Sequence, residues 1–124
     1  MTHALFRNAA AHADGFRDVD PLLLDAHRGE VRIIDVREPH EYSGDLGHIP
    51  GAELVPLATV PAKARSWEPD TEIVVVCRSG GRSGAAARQL VQMGFTRVMN
   101  LRGGMLAYST AKLPVDRAEA RLAM

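Results

Sequence analysis

Short apolar runs separated by amphipathic stretches organise this chain. Ile73-Val74-Val75-Val76 is an unbroken apolar run, and 31–36 form an apolar-rich stretch with Ile33-Ile34 at its centre. Continuous β-branched runs of this length suit strands buried on both faces, because a strand with one wet face would alternate apolar and polar positions. Strands are therefore expected over 31–36 and 72–76, with shorter ones over 16–19, 54–55 and 97–101. Helical signals lie between them. Asp20-Pro21 reads as the N-cap and first turn of a helix over 22–28, with Gly29 as its stop. Residues 38–43 fit one or two helical turns, and 57–67 fit a helix that tolerates Pro61 in its first turn. Ala86, Leu90 and Met93 recur at helical spacing before Gly94, a second expected stop. Gly47-His48-Ile49-Pro50-Gly51-Ala52 is a constrained turn, and Gly103-Gly104 opens a last helix over 105–112. Strands alternating with helices predict an α/β domain with a parallel sheet.

Composition narrows the class without changing the picture. With 124 residues, 46% of them hydrophobic, the chain can bury one real core. Fifteen basic and fifteen acidic residues cancel, so no global field draws in nucleic acid or an anionic membrane, and neither is expected as a partner. No apolar run approaches a membrane span, and residues 1–14 lack the apolar centre of a secretory signal. A cytoplasmic setting is the expectation. The stretch 4–11 is compatible with a short amphipathic helix or a mobile segment. The five histidines have no metalloprotease spacing and read as surface or loop residues, Trp67 reads as packing, and no metal or cofactor is called for.

One position changes the picture. Cys77, the single cysteine, sits where the 72–76 strand runs into Arg78-Ser79-Gly80-Gly81-Arg82-Ser83 and then a helix. A lone buried cysteine is usually a small core residue. Here two glycines allow the tight path on which successive N–H groups converge, and a helix N-terminus with Arg78 and Arg82 beside it favours a thiolate and an incoming anion. Cys77 is therefore the candidate nucleophile, and Arg78, Ser79, Gly80, Gly81, Arg82 and Ser83 are the candidate substrate-binding loop. A thiolate in such a cradle can attack the outer sulfur of a small anion such as thiosulfate, with sulfite leaving.

Four ordered motifs extend this reading: Ile34-Asp35-Val36-Arg37-Glu38-Pro39 with Glu41-Tyr42, then Gly47-His48-Ile49-Pro50-Gly51-Ala52, then Val76-Cys77 with its loop, and last Leu101-Arg102-Gly103-Gly104. Together, over about 18–113, they resemble the rhodanese family of sulfurtransferases. The resemblance implies a small five-stranded parallel sheet with helices on both faces, in a domain over 16–114 between an N-terminal extension (1–15) and a C-terminal tail (115–124). It implies that Cys77 carries sulfane sulfur as a persulfide, taken from a small anionic donor and passed to a thiol, cyanide or protein acceptor. Asp35 and Arg37 fall near the loop base as supports, although Asp35-Val36-Arg37 also reads as an ordinary strand exit with a solvated ion pair. Tyr108 departs from the tryptophan that many members carry after the double glycine. His48 reads as a structural hydrogen-bonder and Gly103-Gly104 as a turn and helix start. A monomer or homodimer fits equally.

Two other functions share these residues. A persulfide-carrying relay or docking module would need the same loop. A cysteine-dependent phosphatase or arsenate reductase would use a similar cradle, but with five residues between cysteine and arginine; here four separate Cys77 from Arg82, and the next position is Ser83.

Overall fold

The structure is a computed structural model that describes residues 4–119; residues 1–3 and 120–124 of the expected extension and tail lie outside the described residues. Its centre is a mixed sheet of six strands in the order β1-β2-β6-β5-β3-β4. These are β1 (Ala10–Ala11), β2 (Arg17–Val19), β3 (Arg32–Asp35), β4 (Glu53–Leu54), β5 (Ile73–Val76) and β6 (Val98–Leu101). All neighbours run parallel except β1 and β2. The expected five parallel strands are present, and the sixth is the correction. Ala10 and Ala11 carry no β-branched signal, yet they pair with Asp18 and Arg17 across a turn in which Gly15 takes φ +92°. This hairpin covers the otherwise open edge of β2.

Strand alternation divides the core into two layers. Val74 and Val76 of β5 face one way, with Leu5, Leu24, Tyr42, Ile49, Met105 and Tyr108. Ile73, Val75 and Cys77 face the other, with Val60, Ala64, Ala86, Ala87 and Leu90. Helices α1 (Ala4–Asn8), α2 (Pro21–Ala26), α3 (Pro39–Tyr42) and α6 (Gly104–Thr110) therefore cover the first face, and α4 (Val60–Ala64) and α5 (Gly81–Gln92) cover the second. All four β5 side chains are fully buried, each worth about 1.5–3 kcal/mol of apolar transfer. No described helix is long and apolar enough to cross a membrane.

Local signals act where they were expected, with small exceptions. The Asp20 carboxylate accepts from Leu23 N–H at 2.9 Å as the α2 cap. At the end of α5, Gly94 takes φ +102° while Gly94 and Phe95 N–H reach back to Val91 and Leu90 carbonyls at 3.0 Å each, the paired bonds of a glycine C-terminus. Gly29, in contrast, stops nothing: α2 ends at Ala26, and Gly29 lies inside a 3-10 turn over Arg28–Glu30. The stretch 57–67 is shorter in regular structure than expected, a 3-10 turn over Leu57–Thr59 followed by α4.

Candidate active site

The connection leaving β3 goes to α3 on one face, and the connection leaving β5 goes to α5 on the other. Between the carboxyl ends of two such strands an open α/β sheet has its natural crevice. Cys77 follows β5 at this point, with Asp35 in register opposite Val76.

The Cys77 side chain is buried, 1% exposed, and its sulfur is held by the loop itself. Gly80, at φ +108°, aims its N–H at Sγ from 3.0 Å, and the Ser83 hydroxyl lies 3.3 Å from Sγ. Burial is the largest single influence on the thiol and pushes its pKa up. It is outweighed by the Ser83 hydroxyl and by the N–H groups of Ser83, Gly80 and Ser79, so the net direction is down. The loop is thus a thiolate cradle made chiefly of backbone dipoles and one hydroxyl. Ser83 is anchored in turn: its Oγ lies 2.5 Å from Asn100 Oδ1 on β6, and Asn100 Nδ2 reaches the Gly80 carbonyl at 3.5 Å.

The two arginines play different parts from one another. Arg78 is exposed on the rim. Arg82 turns to α3 and makes a two-pronged ion pair with Glu41, at 2.7 and 2.8 Å. That contact is the main reason the Arg82 pKa rises; the charge on Cys77 is a lesser one. Glu41 in turn falls to about 2, held down first by its hydrogen bond to Arg82. Of the groups expected to favour the thiolate, the Ser83 hydroxyl and the loop N–H groups are the ones that meet Sγ, while Arg82 is paired with Glu41.

Beneath this lies a buried polar scaffold. Asp35 and Arg37 are 0% and 1% exposed, which removes the reading of a solvated pair. The Arg37 guanidinium bonds Asp35 at 2.9 and 2.8 Å and also donates to the carbonyls of Glu41 at 3.2 Å and Gly47 at 2.7 Å. It therefore ties β3, α3 and the constrained turn together, and its bond to the Glu41 carbonyl links this frame to the residue that pairs with Arg82. His48 is a loop residue but a buried one, 4% exposed. Its ring stacks on Tyr42 with centroids 3.6 Å apart, and its Nδ1 lies 2.9 Å from the Tyr42 carbonyl oxygen, as a structural hydrogen-bonder should. Trp67 packs edge-on against Phe95 and under Arg32.

The double glycine does more than start a helix. Met105 and Leu106 N–H groups at the α6 N-terminus bond the Cys77 and Arg78 carbonyls at 2.8 and 3.0 Å. A Cβ on Gly104 would meet the Cys77 carbonyl oxygen at 2.5 Å and the Arg78 carbonyl at 2.6 Å. Only glycine lets α6 seat directly against the first peptide of the loop.

The chain belongs to the rhodanese-like domain family. The model of that domain matches residues 18–111. A sulfurtransferase from Allochromatium vinosum is 38% identical over 90 residues, spanning 73% of this chain and 82% of that protein. The thiosulfate sulfurtransferase GlpE of Pseudoalteromonas translucida is 38% identical over 89 residues, 72% of this chain and 81% of its own length. Among solved structures, a rhodanese-related protein from Thermoplasma volcanium superposes with a TM-score of 0.76 at 27% identity, covering 83% of this chain and all of that one. Family membership and fold thus agree with the resemblance carried by the four motifs, and the relatives support a rhodanese-type sulfurtransferase.

Within this rhodanese-like site, the structure brings Cys77, Gly80 and Ser83 together, with Arg78 and Ser79 exposed on the rim, Gly81 at the start of α5 and Arg82 drawn aside. Sequence reasoning missed Glu41, Asn100 and the close approach at Gly104. Glu41 does stand in a quoted motif, but nothing in the chain marks a partner 41 positions away. A cavity of about 350 Å³ opens beside the loop, lined by Arg37, His40, Glu41, Gly44, Asp45, Leu46 and Arg78. A larger cleft of about 670 Å³ by Arg32, Lys63 and Trp67 includes no residue of the loop, so its size carries no weight for the chemistry. Among the described residues no group of three or more His, Cys, Asp or Glu side chains could hold a metal ion.

Proposed function

We propose that this chain is a sulfurtransferase that carries sulfane sulfur as a persulfide on Cys77. The observation that supports this best is the Gly80 N–H and Ser83 hydroxyl directed at a buried Sγ, which favour the thiolate at the end of β5. The thiolate attacks the outer sulfur of a donor such as thiosulfate. The S–S bond of the donor breaks, sulfite leaves with the electron pair, and Cys77 gains one sulfur. The same N–H groups then neutralise the terminal sulfur until a thiol, cyanide or a protein acceptor removes it. Arg78 on the rim is the cation available to an approaching anion, while Asp35 and Arg37 hold the frame. The loop, one residue shorter than a cysteine phosphatase needs, disfavours a tetrahedral phosphoryl centre.

Mass spectrometry tests this reading. Purified protein mixed with thiosulfate should gain one sulfur on Cys77, and cyanide should remove it with release of thiocyanate. The Cys77→Ser variant should fold normally, take up no sulfur and show no turnover. Substantial turnover in that variant would sink the persulfide mechanism.

A further inference from the structure

Arg82 is not free to meet a substrate. Its guanidinium is held in both prongs by Glu41, and the Glu41 carboxylate also accepts the Glu38 N–H at 3.1 Å, so α3 fixes its aim. The other charges near the mouth balance as well. Arg37 is committed to Asp35, and Asp45 shares the adjoining cavity with Arg78. Arg78 has no ion pair among the described residues. An incoming dianion therefore finds a neighbourhood near neutrality with one uncommitted guanidinium, far less attraction than two arginines on a six-residue loop suggest. A singly charged or neutral donor loses little by this.

We propose that Glu41 is a specificity-determining residue: by neutralising Arg82 it tunes the Cys77 loop to persulfide donors, small-molecule or protein-borne, over dianionic donors such as thiosulfate. The inference rests on the sulfurtransferase reading above. The step it favours is balanced: the Cys77 thiolate attacks the outer sulfur of R–S–SH, the S–S bond of the donor breaks, R–S⁻ leaves with its electron pair, and Cys77 becomes the persulfide with the proton retained. Nothing is oxidised or reduced overall. Glu41 touches no reacting atom and acts through Arg82 alone.

The test compares thiosulfate with cysteine persulfide, which carries a single net negative charge near neutral pH, as donors for the wild type, Glu41→Gln and the double variant Glu41→Gln/Arg82→Gln. Glutamine keeps an oxygen for the Glu38 N–H, so α3 retains its start. Releasing Arg82 should raise the ratio of kcat/KM for thiosulfate over that for cysteine persulfide about fivefold, through a lower KM for thiosulfate. In the double variant, where both charges are gone, the ratio should return close to the wild-type value. A second measurement needs no variant: from about 0.01 M to about 0.15 M ionic strength the wild-type ratio should change less than about twofold, since little net charge faces the donor. An unchanged or lower ratio in Glu41→Gln, or a steep salt dependence in the wild type, overturns the proposal. If neither donor adds sulfur to wild-type Cys77, it is the sulfurtransferase reading that has failed.

Discussion

Two loops leave the sheet side by side, one after β3 and one after β5, and they are built from opposite materials. The β3 exit is held by side-chain charge removed from water: Asp35 and Arg37, both at most 1% exposed, with Arg37 also satisfying the Glu41 and Gly47 carbonyls. The β5 exit is held by backbone dipoles around a sulfur, with Arg78 and Ser79 turned to solvent. A buried ion pair is rigid because any departure leaves a charge without a partner. A ring of N–H groups stabilises whichever anion occupies its centre, thiolate or persulfide, without rearranging. The difference separates framework from chemistry across a single strand pair.

Breaking the framework should cost most. Arg37→Met leaves the Asp35 carboxylate buried without its cation, and the loss of one partner of a buried pair costs about 3–5 kcal/mol. Urea melts should show this loss, and the double variant Asp35→Leu/Arg37→Met should recover much of it. A loss below about 1 kcal/mol would mean that Asp35 finds water, and the contrast between the loops would collapse.

The next effect joins the β5 exit to α6. Gly104 takes φ +58°, and an added Cβ would collide with the Cys77 and Arg78 carbonyls. Gly104→Ala should therefore destabilise the fold by about 1–3 kcal/mol and slow the proposed sulfur uptake, because the peptide that must yield carries Cys77. Measured by melts and by single-turnover sulfur uptake, a loss of stability with full uptake would show that α6 supports the fold and not the loop.

These cases also show where reading the chain succeeds. The buried strands β3 and β5 announce themselves through local runs of Ile and Val, and the Cys77 loop through a cysteine, two glycines and a following helix, all adjacent in sequence. What escaped reading depends on tertiary approach. The Ala10–Ala11 strand has no propensity of its own and exists because β2 offers an edge. Gly103-Gly104 looks like any turn until α6 is laid against Cys77. Glu41 and Arg82 both belong to recognised motifs, but their pairing needs the β3 and β5 exits to be neighbours. Gly29 looked like a helix stop because a glycine after a helical pattern usually is one; the following 3-10 turn absorbs it without a positive φ.

Within the cradle, the smaller effect is that of Ser83. Its hydroxyl carries one proton and faces two acceptors, Cys77 Sγ and Asn100 Oδ1. Ser83→Ala removes the leading force that lowers the Cys77 pKa, so thiolate absorbance against pH should titrate higher, with a cost of about 1 kcal/mol. The sign for stability follows from the native thiol lying below the ordinary value of 9.0. The native state then releases its proton first, and the stabilisation is full above the unfolded thiol's pKa and lost as pH falls through the native one. Wild-type stability should climb across that window, Cys77→Ser should not, and Ser83→Ala should climb less.

The smallest effect tests the joint between framework and cradle. Glu41 is depressed from 4.5 to about 2 by Arg82, so its contribution to stability is present above the ordinary carboxylate value and disappears as pH falls through the native one. The pair is partly open to water, with side-chain exposures of 38% for Arg82 and 20% for Glu41, and screening limits it to less than about 1 kcal/mol. Urea melts of wild type and Glu41→Gln should therefore differ slightly near neutral pH, and the difference should shrink steadily between pH 4.5 and about 2. A gap that survives below the native value would not be electrostatic. It would assign Glu41 a packing role within α3, and the two exits would then be joined by shape rather than by charge.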